Sequence, residues 1–223
     1  MPSLDLDPYL DHTVQTNHDN IEKFDGIKAR GRTDTVLAAK DLIHSFLPRD
    51  GESVVDIGIA GGYSTRELGK IYKNVTGVSI CQEDVDHAAE HGVHAVLDEM
   101  HKLETFEDSS LDGVFASHIL EHSPAPYIAL RTFFRVLKPD GWVVIVMPER
   151  DGIAGRGMRR FGFFKTHLFC ADPSTVIYLL RRAEFRLEWY REVPQWDPRF
   201  VEPNMYHQVY CARKGREVRN DGA

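Results

Sequence analysis

Short apolar runs alternate with amphipathic stretches along most of this chain. Val54-Val55-Asp56-Ile57 is a run of strand length, and Gly58-Ile59-Ala60-Gly61-Gly62 follows it directly. That order predicts a buried strand, a glycine-rich turn and the start of a helix. Further strands are predicted over Asn74–Ile80, Val93–Asp98 and from Leu111 onward. A fifth runs to Pro148, after a helix that ends at Leu137 and a turn at Lys138–Gly141. Thr33 to Leu47 has helical spacing, with Val36, Leu37, Leu42, Ile43, Phe46 and Leu47 on one face, and Pro48-Arg49-Asp50-Gly51 closes it. Thr65–Tyr72, Glu83–Glu90 and Tyr127–Leu137 read as crossover helices. Asp172-Pro173-Ser174-Thr175 opens another that runs to about Arg182. Two strands follow, over Phe185–Val193 and about Met205–Arg213. Strands alternating with helices predict an α/β fold, a parallel sheet covered on both faces. No internal repeat or second domain is visible. The expected layout is one domain over residues 1–213, with residues 1–50 as a helical lid segment and 214–223 as a frayed tail.

Composition changes this picture little. The chain has 223 residues, 42% hydrophobic and 27% charged, enough for one domain with a sizeable core. A formal net charge of -7 argues against general nucleic-acid or membrane-surface binding. The three cysteines, Cys81, Cys170 and Cys211, are widely spaced and suggest neither a disulfide framework nor a zinc pair. They read as reduced thiols in a cytoplasmic protein. The opening Met1-Pro2-Ser3-Leu4-Asp5 lacks the features of a signal peptide, and no apolar run is long enough to span a bilayer.

Candidate chemistry starts at the glycine turn. Glycine lets main-chain N–H groups approach a ligand, but an ordinary tight strand–helix turn looks the same. The acid stands before the glycines, at Asp56, unlike a dinucleotide fingerprint, and no Gly-Lys-Ser/Thr of a P-loop follows. Later segments add specificity. Leu111-Asp112-Gly113-Val114-Phe115-Ala116-Ser117-His118-Ile119-Leu120-Glu121-His122 and Arg135-Val136-Leu137-Lys138-Pro139-Asp140-Gly141 follow in order. Together with the turn they resemble the class I S-adenosylmethionine-dependent methyltransferases, and within them the methyltransferase type 11 branch. The likeness is strong from Ser53 to Pro148. It implies a Rossmann-like doubly wound sheet of seven strands, mostly parallel, with an antiparallel edge hairpin.

The resemblance also implies roles. Asp56 and the turn Gly58, Ala60, Gly61 and Gly62 would lie along the methionine portion of S-adenosylmethionine. Asp98, with Glu99 and Met100, would lie beside the adenine. Ser117 and His118 would line the methyl-transfer face. Two positions depart from the pattern. Ala60 replaces a common glycine, and Ser79 replaces the acid that grips the ribose hydroxyls, a contact Gln82 or Glu83 would have to supply.

A methyl acceptor bearing a proton needs a base, and His118, His167 and His122 are the candidates. His118-Ile119-Leu120-Glu121-His122 also fits the H-x-x-E-H zinc motif. Ser123-Pro124-Ala125-Pro126 opposes a continuous helix there, and no metal is expected. Arg156, Arg159, Arg160 and Lys165, in the loop after the fifth strand, would suit an anionic small-molecule substrate. The expected reaction is methyl transfer to a small-molecule acceptor, on oxygen or nitrogen. A noncatalytic relative and a nucleic-acid-modifying enzyme are the alternatives.

Overall fold

A computed structural model describes residues 42–59, 62–149, 167–195 and 205–215. The proposed lid before residue 42, Ala60, Gly61, the basic loop with Arg156, Arg159, Arg160 and Lys165, and the tail after residue 215 lie outside the described residues. The elements are a helix at residues 42–46 (α1), β1 Ser53–Ile57, α2 Tyr63–Leu68, β2 Asn74–Ser79, α3 Gln82–Glu90, β3 Ala95–Leu97 and β4 Leu111–Ser117. A 3-10 turn at Leu120–His122 leads to α4 Pro126–Val136, β5 Leu137–Pro148, α5 Pro173–Arg182, β6 Phe185–Gln195 and β7 Met205–Lys214.

All seven strands form one sheet in the order β3-β2-β1-β4-β5-β7-β6. β1 to β5 pair in parallel, whereas β7 pairs antiparallel with both β5 and β6. The last described strand, β7, therefore lies inside the sheet, and β6 forms the edge. This is the Rossmann-like arrangement that the alternating pattern and the resemblance imply. Alternate side chains of β5 enter two cores. Val143, Ile145 and Met147 pack with Leu130 and Phe133 of α4 and Val176 and Leu180 of α5. Trp142, Val144 and Val146 pack with Leu42 and Ile43 of α1 and Leu68 of α2.

Most predicted boundaries shift by a few residues, and three of the differences have a visible physical cause. β3 is only Ala95–Leu97, because Asp98 turns away to order the next loop. The turn at Lys138–Gly141 is absorbed into β5 as an irregularity. Leu111 faces Leu137 and Gly113 faces Trp142, so two steps along β4 match five along β5. Lys214 is not part of a frayed tail. It closes β7, is 8% exposed, and its Nζ donates to the Leu137 carbonyl at 2.7 Å. Among the described residues no helix is long and apolar enough to cross a membrane.

Gly113 allows the Trp142 indole to lie flat against β4. A Cβ there would come within 2.2 Å of that fully buried ring. Gly113→Ala should cost about 1–3 kcal/mol in urea unfolding through overpacking. Gly69→Ala, where φ is -63 and the nearest atom is 3.5 Å away, should be neutral or stabilising by up to about 1 kcal/mol.

Candidate functional site

The parallel strands β1 to β4 end on one edge, and the polar residues singled out in the sequence collect there as far as they are among the described residues. In open α/β sheets this carboxyl edge is where ligands bind. β1 carries Asp56 to the turn. Gly58 and Gly62 both have φ 82, a left-handed conformation that non-glycine residues rarely adopt. A Cβ on Gly58 would also strike the Ile119 side chain at 2.8 Å. The Gly58 amide donates to the Val78 carbonyl, which locks the turn to β2.

Asp56 is 1% exposed, and its Oδ2 accepts from Ser64 Oγ and Thr65 Oγ1, both at 2.7 Å. Burial pushes its pKa up to about 6, although the two hydroxyl bonds pull the other way. Asp56 therefore fastens the turn to the start of α2 through its own hydrogen bonds.

At the end of β2, Ser79 Oγ accepts from the Cys81 amide at 3.1 Å and donates to Asp84 Oδ2 at 2.8 Å. Gln82 is exposed and donates to Asp86 at 2.8 Å, while Glu83 takes the Cys81 thiol at 2.8 Å. The carboxylate that reaches back to the strand end is Asp84, which the sequence reading did not single out. A spacing of five residues from Ser79, within the first turn of α3, was the available signal.

Beyond β3, Asp98 accepts the amides of Glu99 at 2.7 Å and Thr105 at 2.8 Å, as a residue that orders a loop does. Glu99 is buried. Its Oε2 accepts from the amide of His101 and contacts His101 Nδ1, each at 2.8 Å, and the far ring nitrogen contacts Ser123 Oγ at 2.7 Å. Met100 is 9% exposed and packs in the core.

Ser117 closes β4, and the histidines gather just beyond it. His118 has φ 54, and its amide donates to the Val146 carbonyl at 2.9 Å. Its Nδ1 lies 3.2 Å from Glu121 Oε1 and its Nε2 lies 2.9 Å from His207 Nδ1. The rings of His122 and His167 meet edge to face, with centroids 4.7 Å apart. The Phe169 amide donates to the Glu121 carbonyl, tying residues 167–171 to the 3-10 turn.

Glu121 is 1% exposed. Burial pushes its pKa up, but the His118 hydrogen bond and the charges of His118 and His122 outweigh this and hold it below the ordinary value. Burial takes His167 down to about 4, against the pull of Glu121. Burial and the adjacent His118 take His207 down to about 3. Both rings are therefore neutral near pH 7.

His118, His122 and His167 thus come together as one cluster around Glu121. His207, from β7, completes it and was not found from sequence. A single histidine within a strand carries no local mark of the edge it will face. A depression of about 410 Å³ is lined by Ser53, Asn74, Thr76, Thr105 and Glu107. It opens at the amino end of the strands, away from these groups.

A family described as "Methyltransferase domain" matches residues 55–145. A ubiquinone biosynthesis O-methyltransferase of Xanthomonas oryzae pv. oryzae (strain PXO99A) is 29% identical over 169 residues, covering 66% of this chain and 68% of that protein. Among solved structures, a methyltransferase of Thermotoga maritima, described as a possible histamine N-methyltransferase, superposes with TM-score 0.72 at 19% identity. The match covers 91% of this chain and 99% of that one. A 1,6-didemethyltoxoflavin-N1-methyltransferase of Burkholderia thailandensis, with S-adenosylhomocysteine bound, gives TM-score 0.68 at 22% identity, covering 96% and 92%. At these identities the two structures speak to the fold alone.

The raised pKa of Asp56 makes stability depend on pH. Its folded-state value of about 6 lies above the ordinary 3.8, so its contribution is full below the lower value and is lost as pH rises through the upper one. Relative to Asp56→Asn, which never ionises, the wild type should lose on the order of 1–3 kcal/mol between about pH 4 and 7. Urea unfolding of both proteins across that range checks it. A pH-independent difference would rule the buried charge out.

Proposed function

Because the chain belongs to the class I S-adenosylmethionine-dependent methyltransferases, we propose that it methylates a hydroxyl of a small molecule, with its own histidine cluster receiving the proton. The observation that carries this reading is the placement of the His118–Glu121–His207 group on the same sheet edge as the Asp56 turn. The O-methyltransferase name of the curated relative favours oxygen over nitrogen.

The residues on this edge fit the cofactor. Asp56 and the Gly58–Gly62 turn suit its amino-acid end, and Asp98 its adenine amino group. Glu99 and Met100 support that loop from beneath, since one is bonded to His101 and the other is packed in the core. Asp84 supplies the carboxylate missing at Ser79. The Ser79 hydroxyl holds Asp84 through Oδ2, and Oδ1 is not spent on that bond. S-Adenosylmethionine supplies an electrophilic methyl carbon. The acceptor oxygen forms the new C–O bond while the C–S bond breaks and its electron pair returns to sulfur. The leaving thioether is neutral and needs no acid.

The protein has three tasks: to align the acceptor, to exclude water and to take one proton. His118 is the group we assign to the proton. Glu121 holds His118 at Nδ1, and the proton would arrive at Nε2, with the acceptor hydroxyl taking the place that His207 Nδ1 now occupies at 2.9 Å. A folded pKa of about 4 makes His167 a poor proton acceptor near neutrality, and His122 sits against it as a wall of the site. Arg156, Arg159, Arg160 and Lys165 would add affinity for an acidic acceptor. The three cysteines, none of them in a disulfide, fit a reducing, cytoplasmic setting.

Calorimetry with S-adenosylhomocysteine tests the cofactor site first. Asp84→Ala should weaken binding about 10–100-fold, the loss of a hydrogen bond to a charged group. Ser79→Asp should not tighten it, because the new carboxylate would face Asp84. An Asp84→Ala protein with unchanged affinity would refute the relocated acid. No binding by the wild type would sink the whole reading.

Release of S-adenosylhomocysteine across a panel of phenols and amines tests the acceptor. Phenols should turn over, and His118→Gln should lower kcat by roughly two decades or more. Turnover of amines alone would overturn O-methylation.

A further inference from the structure

We propose that Glu121, His122 and His167 bind a divalent transition-metal ion, zinc by ligand type, at the carboxyl edge of β4. The three residues each bring a ligand atom within 4.8 Å of the other two. Two imidazoles and one carboxylate, with a fourth position left for water or substrate, form a recurring catalytic zinc set. Bonds of about 2.1 Å to a tetrahedral ion would hold these atoms about 3.4 Å apart, within reach of small ring rotations.

A second observation is independent of the spacing. Glu121 is 1% exposed, and its Oε2 is buried with no hydrogen-bond partner among the described residues, while Oε1 is occupied by His118. An unpartnered carboxylate oxygen taken out of water is costly. An ion on Oε2 would remove that cost and leave the His118 contact in place, as the outer partners of ligating carboxylates do. His118 then orients the ligand, with His207 behind it at 2.9 Å.

The set differs from the H-x-x-E-H zinc motif. In that motif His118 and His122 would share the ion from one helix. Here Leu120–His122 is a single 3-10 turn, and His118 faces Glu121 and His207 instead. The second imidazole comes from residue 167, on the segment that docks onto the turn through the Phe169 amide. A zinc-bound hydroxyl is more acidic than a free one, so an acceptor oxygen in the fourth position would lose its proton more readily. That role rests on the proposed O-methylation, whereas the binding itself does not.

His87, Glu90 and His91 also cluster, but all three are exposed, at the carboxyl end of α3. The test therefore uses a His87→Ala/His91→Ala background. Chelator-treated full-length protein is titrated with Zn²⁺ by calorimetry and with Co²⁺ by visible absorption, without S-adenosylmethionine. One equivalent should bind, with a tetrahedral Co²⁺ spectrum, and Zn²⁺ should raise Tm. Glu121→Gln, His122→Gln and His167→Gln should each weaken binding at least tenfold.

The half-buried His167 serves if the Glu121 variant fails to fold. Absence of a stoichiometric site would overturn the proposal, as would binding that all the folded single variants retain. Metal binding with no S-adenosylhomocysteine binding would overturn the methyltransfer reading and leave the ion site standing.

Discussion

A carboxylate taken out of water at Glu121 sets the terms for the carboxyl edge of this sheet. A buried charge is tolerated only when it is paired and hydrogen-bonded. Here the pairing comes from His118, whose ring reaches Glu121 only because its backbone leaves β4 in a left-handed conformation. The Val146 carbonyl then accepts the His118 amide and secures that departure from the β5 side. The Glu121 carbonyl accepts the Phe169 amide, which docks the segment carrying His167. One buried acid thus draws together the end of β4, the 3-10 turn and the chain leading into α5.

The sheet topology supplies the last member. β7 inserts antiparallel between β5 and β6, and its register sets His207 opposite Pro148 at the end of β5. An edge hairpin added in the other order would put β6 in that place, and the His118–His207 contact would not form. A connectivity that looks like a detail of the sheet edge therefore determines which titratable groups share the site. The opposite end of the edge is built from local bonds. Asp56 binds the first turn of α2, Asp98 binds its own loop, and Ser79 holds Asp84. That side was the more legible from sequence because its partners are neighbours in the chain.

Asp84 shows where local reading runs out even at short range. Gln82 and Glu83 stand closer to Ser79 in sequence, yet one is spent on Asp86 and the other on the Cys81 thiol. The phase of α3 decides the matter. Side chains in a helix lean toward its amino end, and the third residue of α3 is the one directed at the strand end. A one-residue shift of the helix start would have chosen a different acid.

The strand and helix order, the glycine turn behind Asp56 and the capped start of α5 at Asp172 were all determined by the sequence itself. Each rests on periodicity or on contacts a few residues apart. The cluster around Glu121 was decided only by the tertiary structure. His118 and His207 lie 89 positions apart in the chain. Their meeting depends on strand order, on antiparallel register and on the cost of leaving a buried carboxylate alone. None of these is written in the residues adjacent to either histidine.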